Sequence, residues 1–324
     1  MIAVTGATGE LGRRVVARLA KLGLTQRLIV RDVNRAPHLP GAEIAQASSY
    51  GDSAAMGIAL KGIEKVLLVS ARDRFGVAHI SAKNHMPPPF YDRLQQHLAA
   101  VDAALAVGVK HIIYLSMLSA APDATFILSQ DHFHTEEYIR ASGVPFTFLR
   151  VSLYTDNVPQ SVSADDVIRA PAGEGRAAWV TRDDIADVAV AVLTGTGHSG
   201  CTYNVTGPEA LTMAETAGIL STAVKREIVY QAQTPQEART TRSTSRLEKY
   251  QAERRNLTGK DLDEYEVEVF VTHFLQIATG ELAEVSDAVP DLTAHPAQSL
   301  AQYLHEHPES YRHLLHQTTS RPFD

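Results

Sequence analysis

The residues best suited to hold a charged ligand are the run Thr5-Gly6-Ala7-Thr8-Gly9-Glu10-Leu11-Gly12, behind the apolar Ile2-Ala3-Val4 and ahead of the helix-periodic Val15, Val16, Leu19 and Leu22. A strand, a glycine turn and a helix in that order build a pyrophosphate site. Gly6 can take a backbone conformation that a Cβ disfavours, Gly9 lets a phosphate approach the main chain, and Gly12 lets the helix lie close on the strand. The N–H groups of the helix start and the positive end of its dipole then face the phosphates. The turn therefore predicts a dinucleotide ligand.

Which dinucleotide is read from the end of the second strand. About 20 residues after the turn, an acidic side chain there normally accepts hydrogen bonds from the ribose 2′-hydroxyl. In this chain Arg31 ends the strand, Asp32 follows, and Arg35 comes one helical turn later. Guanidinium forks suit a 2′-phosphate, so NADPH is expected. The competing reading makes Asp32 the ribose acceptor and leaves Arg31 in solvent. His295, His305, His307, His313 and His316 crowd the C-terminal part, and His313 and His316 could share a helix face. No carboxylate stands at a matching spacing, so no metal is expected. The glycine-rich stretch 195–200 follows a helix rather than a strand and reads as a turn.

These residues need a scaffold. Apolar, β-branched and aromatic runs at 27–31, 42–47, 65–70, 111–116 and 145–151 read as further strands, separated by helical patterns. One helix carries Leu94, Leu98, Val101 and Leu105 on a single face. The alternation predicts an α/β protein, a doubly wound parallel sheet covered on both sides, with ligands beyond the carboxyl ends of the strands. It occupies residues 1–151. A smaller substrate lobe takes 152–324, with the helix at 183–193 and a strand near 202–206 returning to the sheet. Residues 71–92, including His79, His85 and Pro87-Pro88-Pro89, form a long connection after the fourth strand that reads equally as a lid or a plain insertion.

Across 324 residues, 30 Lys and Arg stand against 37 Asp and Glu, a formal charge of −7. That balance, without a basic arm, disfavours nucleic-acid binding. The single cysteine, Cys201, excludes an intramolecular disulfide and reads as a small buried hydrophobe. No apolar stretch reaches the length of a membrane span, and a strand beginning at residue 2 leaves no room for a secretory leader. A cytoplasmic protein is expected.

The segments TGATGELG, RDVNRA, HIIYLS, His132 to Arg150, VTRDDIADVAVAVL at 180–193, YNVTGPEALTMAE and IATGELAEVSDAVPDLTAHPAQSLAQYL resemble the NmrA-like, atypical branch of the short-chain dehydrogenase/reductases. Within it the chain is most similar to quinone oxidoreductase type 2 and triphenylmethane reductase relatives, over almost its whole length. The resemblance implies a Rossmann-type core with a small C-terminal lobe and NADP(H) as cofactor. It puts Gly6, Thr8, Gly9, Glu10, Leu11 and Gly12 at the pyrophosphate, Arg31 and Arg35 at the 2′-phosphate, and Asp52 at the adenine. Ser70 and Ser116 fall at the nicotinamide half.

The wider superfamily uses a tyrosine and, four residues later, a lysine that lowers the phenol's pKa. Here those positions fall on Leu128 and His132, and Thr135 and Glu136 complete an H-x-x-T-E pattern that the branch shares. His132 is then expected to bond the nicotinamide ribose or to donate a proton. Tyr154 and Asn157 either face the substrate, or pack between lobes and cap a helix. The implied function is NADPH-dependent reduction of a conjugated acceptor such as a quinone, an enone or a cationic dye. The alternative is an NADP(H)-sensing regulator that acts on a partner protein without turnover. The helix at 92–107 could pair with its copy in a homodimer or bury its apolar face on the sheet.

Overall fold

The computed structural model describes residues 1–70, 90–253 and 260–315, with the side chains of 90–92, 245–253 and 260–263 left aside. Strands and helices alternate as β1 (Ile2–Thr5), α1 (Glu10–Lys21), β2 (Gln26–Val30), β3 (Ala42–Gln46), α2 (Ser53–Leu60), β4 (Lys65–Leu68), α3 (Phe90–Ala106), β5 (His111–Met117), α4 (Ile127–Ala141) and β6 (Phe146–Val151). Two short strands, β7 (Val167–Ala170) and β8 (Arg176–Ala177), then lead to α5 (Arg182–Thr194) and β9 (Cys201–Val205). The main sheet has seven parallel strands in the order β3-β2-β1-β4-β5-β6-β9.

Side chains alternate across this sheet, and each face meets its own helices. Val4, Leu28, Leu67, Ile113 and Leu149 join Val15, Val16 and Leu19 of α1 and Ile185, Val188 and Val192 of α5 in one core. Ala3, Ile29, Val66, Ile112, Tyr114 and Phe148 join Met56 and Leu60 of α2, Val101 and Ala104 of α3 and Ile139 of α4 in the other. With both faces covered, the strands read as apolar runs rather than alternating ones. The strand order reverses between β1 and β4, which opens a crevice at their carboxyl ends.

The rest of the described chain comprises β10 (Leu211–Thr212), α6 (Met213–Val224), β11 (Val229–Ala232), α7 (Pro235–Glu253), α8 (Lys260–Ala278), α9 (Ala288–Thr293), α10 (Leu300–Glu306) and a final helical turn, α11 (Arg312–Leu315). Ile168, Trp179, Met213, Leu220, Phe274, Ile277 and Leu300 form a further core, and Leu118 and Leu153 from loops after β5 and β6 enter it. Polar contacts fasten the same junction. Ser119 Oγ donates to Gln276 Oε1 of α8 at 2.8 Å, and Glu281 accepts the Thr125 amide at 3.2 Å. No helix of the described residues is long and apolar enough to cross a membrane.

Three expectations are corrected. On α3 the fully buried positions are Arg93, His97, Ala100, Val101, Ala103 and Ala104, whereas Leu94, Leu98 and Leu105 are only partly covered. Alanines let α3 approach the sheet, and the two polar residues find partners on α4. β4 ends at Leu68, so Ser70 lies past the strand. Cys201 begins the outermost strand β9 and is half-exposed rather than buried. The stretch 195–200 is the turn between α5 and β9. His307 Nδ1 lies 3.1 Å from Glu309, His313 Nε2 lies 3.2 Å from the Pro159 carbonyl, and His295 lies 3.6 Å from Asp187. Among the described residues no three His, Cys, Asp or Glu side chains form a metal-ligand group. His79, His85, the Pro87-Pro88-Pro89 run and His316 lie outside the described residues.

Candidate functional site

Gly6 ends β1 with φ +61°, a left-handed conformation that favours glycine. Its carbonyl accepts the Gly9 amide at 2.9 Å, and the Gly9 carbonyl accepts the Arg13 amide at 3.0 Å, so the chain enters α1 within three residues. A Cβ on Gly12 would lie 2.2 Å from the Gly6 carbonyl oxygen, so α1 sits too close to the turn for any side chain there. Gly9 is the N-cap and brings no side-chain hydrogen bond, which leaves the first-turn amides to a ligand. Leu11 packs into the core and can offer only its backbone; Thr8 and Glu10 stand at the partly open rim.

Beside this turn the Tyr50 hydroxyl lies 2.7 Å from both Thr5 Oγ1 and the Val69 carbonyl, tying together the ends of β1 and β4. Burial pushes its phenol up to about 12, so it stays protonated. No periodicity pointed to Tyr50, because it lies in the loop between β3 and α2.

Arg31 and Arg35 are exposed, and neither guanidinium has a hydrogen-bond or ion-pair partner among the described residues. Asp32 Oδ1, by contrast, accepts the Asn34 amide at 3.0 Å and the Asn34 side chain at 3.1 Å. The carboxylate turns back on its own loop while the two cations face outward. Asp52 caps α2, accepting the Ala55 amide at 3.1 Å and the Ser48 hydroxyl at 2.9 Å. Those bonds, the amide first, hold its carboxyl below the usual range.

Two of the side chains expected at the nicotinamide half are turned inward. Ser116 is buried in β5, and its hydroxyl donates to Glu136 Oε1 at 2.5 Å. Glu136, itself fully buried on α4, also takes two bonds from Arg150 of β6, from Nε at 2.9 Å and from Nη2 at 2.6 Å. Ser116 thus ties β5 to α4 and has no hydroxyl free at the crevice. His132 is also buried. Arg93 Nη2 donates to its Nε2 at 2.8 Å, and its Nδ1 lies 2.9 Å from the Tyr114 hydroxyl. Burial first, and the Arg93 charge second, hold its pKa well below the ordinary value, so the ring is neutral. The expected ribose contact or proton donation finds both nitrogens engaged inside the protein.

Arg93 completes the group with Nη1 on Asp131 Oδ2 at 2.9 Å and on the Leu128 carbonyl at 3.3 Å. His97, one turn along α3, has Nδ1 3.0 Å from Thr135 Oγ1 and 3.3 Å from the Tyr114 hydroxyl. Neither Arg93 nor His97 was singled out from sequence. Their spacing of four was legible there, but a polar pair beside an apolar stripe looks like a solvated face.

Tyr154 is half-buried with the Arg182 guanidinium carbon 4.5 Å from its ring centre. Asn157 Oδ1 accepts from Arg182 Nη2 at 3.0 Å. Asp156 between them accepts the Arg182 amide at 3.1 Å and lies 3.5 Å from Arg14 of α1. Tyr154 and Asn157 therefore hold Arg182 beside the start of α5, and a substrate-facing role competes with that packing.

The NmrA-like family model matches residues 1–262. A (4-alkanoyl-5-oxo-2,5-dihydrofuran-3-yl)methyl phosphate reductase from Streptomyces griseus is 33% identical over 315 residues, covering 96% of this chain and 99% of that protein. An NAD(P)H azoreductase from Xenophilus azovorans is 29% identical over 315 residues, with the same coverage of 96% and 99%. The crystal structure of an NADPH-dependent quinone oxidoreductase from Escherichia coli in complex with NADPH superposes with a TM-score of 0.77 at 29% identity, covering 94% of this chain and 99% of that one.

Proposed function

The chain belongs to the NmrA-like family, and on that footing we propose that it is an NADPH-dependent reductase of a conjugated acceptor, a quinone, an enone or a similar electron-poor system. The observation that carries the reading is the Gly6–Gly12 cradle together with the outward-facing pair Arg31 and Arg35. A 2′-phosphate meets two guanidinium groups there, and a pyrophosphate meets the uncapped start of α1. The relatives whose names describe reductases of an oxo-dihydrofuran, an azo compound and a quinone support the acceptor class.

When bound, NADPH supplies a hydride, two electrons and one hydrogen. The protein's share is to hold and orient the two reactants beyond β4 and β5 and to exclude water from between them. Leu128 stands where a phenol would donate a proton, and the His132 nitrogens are engaged internally. A conjugated acceptor tolerates this, because its reduced anion is delocalised and can take its proton from solvent after the hydride has moved. We place Gly6, Thr8, Gly9, Glu10, Leu11 and Gly12 at the pyrophosphate, Arg31 and Arg35 at the 2′-phosphate, Asp52 near the adenine, and Ser70 at the rim of the nicotinamide end. The net negative charge supports a small-molecule partner rather than nucleic acid. A homodimer through α3 would use the partly covered edge that carries Leu94 and Leu98.

Steady-state oxidation of NADPH against a panel of quinones and enones tests the reading. Turnover with at least one acceptor, and none with simple ketones, is the expected result. Micromolar NADPH binding without turnover across the panel would replace the enzyme by a cofactor-sensing regulator.

A further inference from the structure

The helix that follows a strand in a parallel sheet starts at that strand's carboxyl end, where the ligand lies. The first turns of α3 and α4 therefore wall the crevice beyond β4 and β5. Arg93 lies in the first turn of α3, and its planar fork spans Leu128, Asp131 and His132 in the first two turns of α4. Arg93 and Asp131 are each 6% exposed, and His132 is 3% exposed. Such a buried pair is costly to form and strongly destabilising to break, and its best-attested use is to fix one geometry among several. The contact also fixes a tautomer. Arg93 can only donate, so His132 Nε2 accepts, and the neutral ring carries its proton on Nδ1 and donates it to Tyr114. From Tyr114 the contacts return through His97 to α3, so α3, α4 and β5 are joined in a closed polar circuit.

We propose that Arg93 is a positioning residue for hydride transfer: by bridging Asp131 and His132 it locks the starts of α3 and α4 together and sets the crevice wall against which the nicotinamide half and the acceptor are aligned. The inference rests on the reductase reading for its kinetic consequence. The circuit itself can be read without turnover.

Two variants keep the test independent of folding. Arg93→Lys retains the charge opposite Asp131 but cannot reach Asp131 and His132 together. Arg93→Met with Asp131→Asn removes the ion pair as a unit and leaves no buried carboxylate unpaired. In variants that melt cooperatively, kcat for quinone reduction should fall by about tenfold or more, since misplacement by about 1 Å is enough. The NADPH Kd should change by less than about twofold, because the phosphate contacts lie elsewhere. Two-bond ¹H–¹⁵N couplings should show His132 as the Nδ1–H tautomer in the wild type and not in the variants. Folded variants with wild-type kcat, or a wild-type His132 protonated on Nε2, would overturn the proposal. If the wild type binds NADPH and reduces nothing, the reductase reading fails, while the tautomer measurement still decides whether Arg93 holds His132.

Discussion

The side chains that matter most here are those whose alternatives the fold forbids. Gly12 is the clearest: a methyl group would sit 2.2 Å from the Gly6 carbonyl, so Gly12→Ala must lift α1 off the turn. NADPH affinity should drop by about tenfold or more in a fluorescence titration, the equivalent of ~1.4 kcal/mol; unchanged binding would mean that the cradle does not hold the pyrophosphate. Arg31 makes a prediction of selectivity rather than of strength. Charge-assisted hydrogen bonds contribute about 1.5–3 kcal/mol, so Arg31→Ala should weaken NADPH binding by about ten- to hundredfold and leave NADH nearly unaffected. Equal losses for the two cofactors would remove Arg31 from the 2′-phosphate. At this scale the tight turn at Gly6–Gly12 and the exposed Arg31 and Arg35 were legible in the sequence, because each depends on neighbours in the chain. The internal partners of Ser116 and His132 were not legible there, because they come from other elements.

Between elements, the ties differ greatly in weight, and burial decides which ones count. Glu136 joins α4 to β5 and β6 through Ser116 and Arg150 and has no exposure of its own. Arg150→Met would leave that carboxylate without its cation and should cost about 3–5 kcal/mol in a denaturant titration. The exposed pair of Arg169 with Asp165 has comparable distances, 2.9 and 2.6 Å, yet Arg169→Ala should cost only about 0.5 kcal/mol, because water screens both charges. Similar losses for the two variants would show that burial does not separate them. The α3 helix carries the same lesson. Its leucine stripe was plain in the sequence, but the face against the sheet belongs to alanines and to Arg93 and His97. Hydrophobic spacing locates a helix well and its rotation only to within one residue, and the packing distance settles the rest.

For the whole molecule, acid should loosen the structure through two buried histidines, His97 and His132, and a half-buried one, His273. His97 and His132 are held well below the ordinary value by burial, and His273, edge-on to Phe126 where α8 meets the loop after β5, is pulled down to about 4. The unfolded chain protonates these rings as pH falls through about 6.5, while the folded protein leaves them neutral. Their stabilisation is thus complete above pH 6.5 and is lost as pH drops toward the folded values, by at most ~1.4 kcal/mol per pH unit for each ring. The unfolding midpoint should fall between pH 7 and 5.5, and His273→Phe should flatten that fall; an identical slope would exclude His273 as a contributor. What the sequence determined by itself is the dinucleotide turn, the covered parallel sheet and the preference for a 2′-phosphate, because each is written in residues a few positions apart. What only the tertiary structure decided is the polar group that joins α3, α4 and β5. Arg93 and His132 are 39 residues apart, and His132 and Tyr114 are 18 apart. No local pattern reports that they meet, and their charge states follow from a burial that exists only once three elements have packed.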